Sequence, residues 1–154
     1  MEIKYSVGTA SETAIYSHLN KCNEDFIPPL DKKVNIQVYA TKIFKKSVTF
    51  EAWDGEIMIG LVAAYFNDFE GKTSYITNVS TIGEYRGKGI ATNLLKNCIA
   101  YARQKKNKCI CLEVEKSNHY AVNFYKKMGA VAKDEWEIYK MDGIALQELS
   151  KKRS

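Results

Sequence analysis

"EYRGKGIATNLL", residues 84–95, decides how the chain is read. Arg86 and Lys88 stand beside two glycines, Gly87 and Gly89, and a helical apolar pattern begins at Ile90. Upstream, "TSYITNVSTI" (73–82) is rich in β-branched and aromatic residues and predicts a strand. Strand, glycine turn and helix in that order gather unpaired N–H groups at a helix start, which suits an anion. Glycines there allow positive φ and close approach of backbone to ligand. Each N–H bond to a charged phosphate contributes about 1.5–3 kcal/mol net. The helix dipole adds about 0.3–1 kcal/mol.

Working outward, "EIKYSV" (2–7) alternates and predicts a strand, and "TASE" (9–12) has capping-box spacing with Thr9 as N-cap. Ile15, Leu19 and Cys22 give a helical stripe that Pro28 and Pro29 end. A second helix is expected after Asp31, with Val34, Val38 and Phe44 inward. "SVTFEAWDGEIMIGLVAAYF" predicts a hairpin turning at Asp54-Gly55, and "FNDFEGK" predicts a further turn. Ile90, Leu94, Leu95, Cys98, Ile99 and Ala102 mark one face of the helix after the loop. "CICLEVE" (109–115) predicts a strand, then "SNHYAVNFYKKMGA" a short helix stopped by Gly129. A last strand or strand pair is expected in 132–142, and "GIALQELSKK" predicts a terminal helix. The order predicts one α/β domain over residues 1–154 with a mixed sheet.

Composition narrows the function classes. The 154 residues are 45% hydrophobic and 27% charged, with a net charge of +5, as for one globular domain. No apolar run approaches the roughly 20 residues of a membrane span. The opening "MEIKYSVGTA" lacks the regions of a signal peptide, so the cytoplasm is the expected compartment. No dense basic run is interleaved with aromatics, which argues against nucleic acid as partner. Cys22, Cys98, Cys109 and Cys111 form no CxxC pair; buried reduced thiols and no metal are expected. His18, His119, Trp53 and Trp136 read as surface or packing residues.

Three phosphate loops can be tested against residues 82–92. Walker A fails, because Ile82 and Gly89 stand where Gly and Ser/Thr belong. The dinucleotide GxGxxG pattern fails at Thr92. Gln/Arg-x-x-Gly-x-Gly/Ala is met by Arg86, Gly89 and Ala91. A second landmark follows: Leu112, Glu113, Val114, Asn118, Ala121, Phe124, Tyr125, Lys127 and Gly129. In both motifs, over about residues 48–132, the chain resembles the GNAT superfamily of acyl-CoA N-acyltransferases.

The resemblance implies a mixed central sheet of six or seven strands flanked by about four helices. Two parallel strands, 73–82 and 109–115, are expected to splay into a V that takes acetyl-CoA as co-substrate. It assigns the pantetheine to backbone around Val79, Ser80 and Thr81, and the pyrophosphate to Arg86, Gly87, Lys88, Gly89, Ile90 and Ala91. Asn118 is expected to cap its helix and reach the pantetheine. Tyr125 faces the leaving sulfur in the family, and Glu113 is the candidate general base. Many members carry an acidic base at the position of Thr77, so an ordered water is the alternative to Glu113. The implied function is N-acetyl transfer to a primary amine: a small molecule, an amino sugar or a protein N-terminus. The alternative is an acyl-CoA-binding sensor without turnover. "CNEDFIPPL" (22–30) offers Glu24, Asp25 and Phe26 to a cationic acceptor, and homodimers are common in the family.

Overall fold

The alternation of residues 2–7 and the apolar runs on either side of Gly55 produce three antiparallel strands. They are β1 (Ile3–Val7), β2 (Val48–Asp54) and β3 (Ile57–Phe66), and Gly55 turns the hairpin with φ +60°. The computed structural model describes residues 2–66, 73–133, 137, 139, 141 and 143–151. β4 (Thr73–Thr81) pairs antiparallel with β3, and β5 (Cys109–Cys111) pairs parallel with β4. The sheet order is β1-β2-β3-β4-β5. A parallel pair needs a crossover, which α3 (Ile90–Gln104) supplies.

Among the described residues there are five strands, not six or seven. β5 ends at Cys111 because its pairing with β4 stops there, so residues 112–115 run on outside the ladder. The strand expected in 132–142 falls largely outside the described residues, as do the turn at 67–72 and Trp136. The described residues also hold five α-helices rather than about four: α1 (Glu12–Lys21), α2 (Ile36–Lys46), α3, α4 (His119–Lys127) and α5 (Gly143–Lys151). The mixed α/β class stands. None of these helices is long and apolar enough to cross a membrane. The chain divides into two units, Met1–Ser117 with the sheet and α1–α3, and Asn118–Ser154 with α4 and α5.

In the first unit α1 and α2 cover one face of the sheet. Ile15, Leu19, Leu30, Ile36, Ala40 and Ile43 meet Met58, Leu61 and Ala63. Each such aliphatic side chain contributes about 1.5–3 kcal/mol by burial. α2 starts at Ile36, later than expected, because Asn35 caps it by accepting from Val38 N–H at 3.0 Å. That phase turns Ile36, Ala40 and Ile43 inward and leaves Val38 66% and Phe44 49% exposed, with Val34 also exposed. α1 is likewise capped by Ser11, which accepts from Ala14 N–H at 3.1 Å, and not by Thr9.

Thr9 serves a different group. The buried Glu51 carboxylate accepts from Ser6 Oγ (2.7 Å), Thr9 Oγ1 (2.8 Å), the Thr9 and Ala10 N–H groups (3.2 Å) and Thr49 Oγ1. A buried charge is tolerated only with such partners. The knot holds the β1–α1 corner against β2.

α3 lies on the opposite face. Its approach is close because Gly60 of β3 has no side chain. A Cβ there would stand 2.6 Å from Ile90 Cγ2 and 3.1 Å from Leu94 Cδ1. Ile90, Leu94, Leu95, Cys98 and Ala102 are buried as expected, while Ile99 is half-exposed. Tyr101 packs edge-on against Phe50 at 5.6 Å. Gly60→Ala is expected to lower unfolding free energy by about 1–3 kcal/mol, through overpacking against the first turn of α3. Urea unfolding of the two proteins checks this, and equal midpoints would refute it.

Candidate active site

One residue sets the geometry of β4. Ala63 pairs with Asn78 but Ala64 pairs with Ile76, so Thr77 is an extra residue, a β-bulge. Its effect shows in which way side chains face. Tyr75 opposes Tyr65, whose ring lies under Lys42 of α2, while Ser80 reaches His18 of α1. Residues five apart on a regular strand face opposite ways. The bulge brings both to the α1–α2 face.

Pairing of β4 with β5 ends just before it, at Tyr75 opposite Cys111. Beyond that rung the two segments have no ladder bonds between them. The bond from Ile82 N–H to Ile59 O (2.9 Å) sets the phase of the β3 ladder. Ser80 therefore turns its backbone toward β3, whereas Val79 and Thr81 turn theirs to the open side. Amide groups left so need a partner.

At the far end of β4 the chain passes through a 3-10 turn, Gly83–Tyr85, held by Tyr85 Oη donating to Asp54. Gly87 (φ +80°) and Gly89 (φ +76°) then turn into α3. Ser11, Asn35 and Asn118 cap α1, α2 and α4, but among the described residues no side chain caps α3. Its first N–H groups remain available. A Cβ at Gly87 or Gly89 would meet no described atom within 4 Å. Arg86 pairs with Asp25 at 3.2 Å, an exposed contact worth about 0–1 kcal/mol. Asp25 is thereby engaged with the loop.

His18 differs most from its reading as a surface residue. It is buried beneath β4, with Nδ1 2.8 Å from Met58 O and Nε2 2.8 Å from Ser80 Oγ. A carbonyl only accepts, so Nδ1 carries the proton and Nε2 accepts from the Ser80 hydroxyl. Ser80 Oγ in turn accepts from Asn78 Nδ2 at 2.9 Å. A directed chain thus runs from the bulge to α1. Burial lowers the His18 pKa to about 4. The signal in the sequence was the spacing Ile15, His18, Leu19, Cys22, which puts the imidazole on the buried stripe.

The segment after β5 alternates. Leu112 and Val114 are half-buried, while Glu113 and Glu115 are exposed on the side of Cys109 and Cys111. Those two thiols are exposed, not buried, with their sulfurs 3.6 Å apart, because β5 is an edge strand among the described residues. Cys22 and Cys98 are buried, and burial pushes their thiols up to about 11 and about 12. Among the described residues no group of three or more His, Cys, Asp or Glu could hold a metal ion.

In the second unit Asn118 caps α4 by accepting from Ala121 N–H at 3.2 Å. Gly129 (φ +94°) ends that helix as the sequence predicts. Tyr125 lies edge-on to Phe124 at 5.2 Å, and burial pushes its phenol up to about 12. His119 is exposed.

A bulged strand leaving its parallel neighbour, followed by a glycine loop and an uncapped helix, defines an acyltransferase fold. The Acetyltransferase (GNAT) family model matches residues 13–130, and the chain belongs to that family. It is 30% identical over 101 residues to a thialysine N-epsilon-acetyltransferase of Mus musculus, covering 62% of this chain and 59% of that protein. It is 34% identical over 83 residues to N-alpha-acetyltransferase 30 of Schizosaccharomyces pombe, covering 53% and 55%. The chain spans less than two thirds of the length of these relatives. A predicted acetyltransferase of Clostridium acetobutylicum, solved with acetyl-CoA, superposes with TM-score 0.71 at 25% identity, covering 91% of this chain and 97% of that one. An integron cassette protein of V. cholerae shares the fold with TM-score 0.77 at 19% identity, covering 99% of both chains.

The His18 shift carries a sign. Its folded pKa, about 4, lies below the unfolded 6.5, so the unfolded chain binds the extra proton between them. Stability from the neutral imidazole is whole above pH 6.5 and is lost as pH falls toward 4, by about 3 kcal/mol. The stability advantage of the wild type over His18→Gln should narrow by about that amount between pH 7 and pH 4. Parallel denaturation curves at several pH values measure it, and a constant difference would contradict the assignment.

Proposed function

We propose that this chain transfers an acetyl group from acetyl-CoA to a primary amine by direct attack. The observation that carries the reading is the coincidence, on one strand, of a bulge, outward backbone at Val79 and Thr81, and an uncapped helix behind two left-handed glycines. The residues fit the co-substrate. Open-side amides of β4 match the amides of the pantetheine arm. The N–H groups of Gly87 to Ala91, with Lys88, suit a diphosphate. Arg86 leaves a weak pair with Asp25 to join them. Both units are read as one acetyltransferase domain, because the family match runs across their boundary.

Chemistry makes two demands on the protein. An alkylamine of pKa about 10.4 costs roughly 4–5 kcal/mol to neutralise at pH 7, an α-amine only about 1 kcal/mol. Glu113, exposed beside the opening of the V, takes that proton directly or through a water. The amine nitrogen then bonds to the thioester carbonyl carbon, the C–S bond breaks, and the electron pair leaves on sulfur. The nitrogen sheds its second proton to solvent, and the thiolate takes up one proton from solvent. Tyr125 is assigned to the sulfur by its motif position. With a phenol at about 12 against a thiol near 8.5, full transfer from Tyr125 is uphill by roughly 5 kcal/mol. Tyr125 therefore stabilises the thiolate by a hydrogen bond, and solvent supplies the proton.

Two variants test the reading. Tyr125→Phe should lower kcat by about tenfold to a hundredfold, with acetyl-CoA affinity nearly unchanged. Thiol release and calorimetry separate those effects, and wild-type kcat would remove the role. Gly89→Val meets no steric neighbour, so its cost is conformational, about 1–2 kcal/mol for a left-handed residue with a side chain. Backbone leaving that conformation should weaken acetyl-CoA binding by about tenfold, and unchanged affinity would show that the loop holds no diphosphate. Acetyl-CoA binding without thiol release for any amine would instead indicate a sensor.

A further inference from the structure

Three tyrosines meet on the α1–α2 face of the sheet, beside the bulge. Tyr65 and Tyr75 are directly opposed on β3 and β4. Tyr39 of α2 donates its phenol to Thr77 O at 2.7 Å, at the bulge itself. Lys42, one turn further along α2, holds its ammonium 5.3 Å from the centre of the Tyr65 ring. Tyr65 Oη is buried and has no hydrogen-bond partner among the described residues, unusual for a phenol taken out of water. Tyr75 and Lys42 are partly open to solvent, so the cluster can be entered.

Charge completes the description. Tyr75 stands opposite Cys111, two residues before Glu113. Burial raises the Tyr75 phenol, and the Glu113 carboxylate nearby raises it further. Burial likewise pushes Tyr39 up to about 12. Tyr39 and Tyr75 are thus neutral at physiological pH, and the Tyr65 ring turns its negative face to a cation, with one carboxylate near Tyr75. Such walls attract a cation that also carries apolar surface. Lys42, a primary ammonium on an alkyl chain, has that chemistry and is already seated there.

We propose that Tyr39, Tyr65 and Tyr75, with Glu113 at their edge, form the acceptor pocket for a primary alkylammonium, and that Lys42 occupies part of it as an intramolecular stand-in. The proposal rests on the acetyl-transfer reading and adds the acceptor's class. The incoming ammonium displaces Lys42 from the ring and offers a donor to Tyr65 Oη. It then stands next to the carboxylate that deprotonates it. An acceptor with one positive charge on an aliphatic stem fits best, since Lys42 repels a second charge.

The test uses the full chain and two probes of equal length, n-butylammonium and neutral butan-1-ol, followed by NMR titration. Butylammonium should bind at least about fivefold tighter than the alcohol. Tyr65→Leu and Tyr75→Leu should each weaken butylammonium about fivefold or more, while Tyr65→Phe, which keeps the ring and loses only the acceptor, weakens it less than Tyr65→Leu. Lys42→Met, an exposed change that spares the fold, should tighten butylammonium several-fold. Equal affinity for the two probes, or unchanged butylammonium affinity in Lys42→Met, overturns the pocket. Thermal stabilisation by acetyl-CoA, read in the absence of amine, reports on the loop separately. Its presence without butylammonium selectivity sinks the pocket alone. Its absence sinks the acetyl-transfer reading and, with it, the acceptor assignment.

Discussion

One extra residue in β4 organises the rest of this molecule. Thr77 has no partner on β3, and from that point the strand faces the other way and leaves β5. Without it, Ser80 would turn away from α1 and the chain from Asn78 through Ser80 to His18 could not form. The bulge also explains why β5 is only three residues long. Parallel pairing requires both strands to hold one direction, and β4 does not. The open amides that follow are therefore a consequence of strand geometry. They invite a ligand with amides of its own.

The loop depends on a second constraint, the close seating of α3 on β3. Gly60 lets Ile90 and Leu94 pack where a side chain would otherwise stand. That contact fixes the first turn of the helix, the turn whose N–H groups no side chain caps. Gly60 thus supports the helix start, while Gly87 and Gly89 shape the approach to it. The first acts by what it leaves out, the other two by their positive φ.

Much of this was legible in the sequence, and the gaps have physical causes. The turn through Gly87 and Gly89 into α3, the α3 stripe apart from Ile99, the Asn118 cap and the Gly129 stop are local signals, and their backbone geometry and burial are as read. α2 misled because "VNIQVYATKIF" carries apolar residues on two sides, and only the Asn35 cap fixes which side turns inward. His18 misled because its partners, Met58 and Ser80, come from distant strands that a helical stripe alone does not reveal. The exposed pair Cys109 and Cys111 looked like core because apolar runs usually are, yet here the run lies at an edge. The tyrosine cluster had no sequence signature, since Tyr39, Tyr65 and Tyr75 meet only through α2 packing and β3–β4 register.

The Glu51 knot bears on how such a chain can change over generations. Ser6, Thr9 and Thr49 each satisfy part of one interior acid, and Trp53 Nε1 donates to Ser6 Oγ at 2.8 Å. Losing any one member strands another without its complement. Drift at these positions is consequently correlated: a lineage keeps the whole set or exchanges it together for an apolar plug. Among descendants, covariation should tie residues of the β1–α1 corner to the second strand.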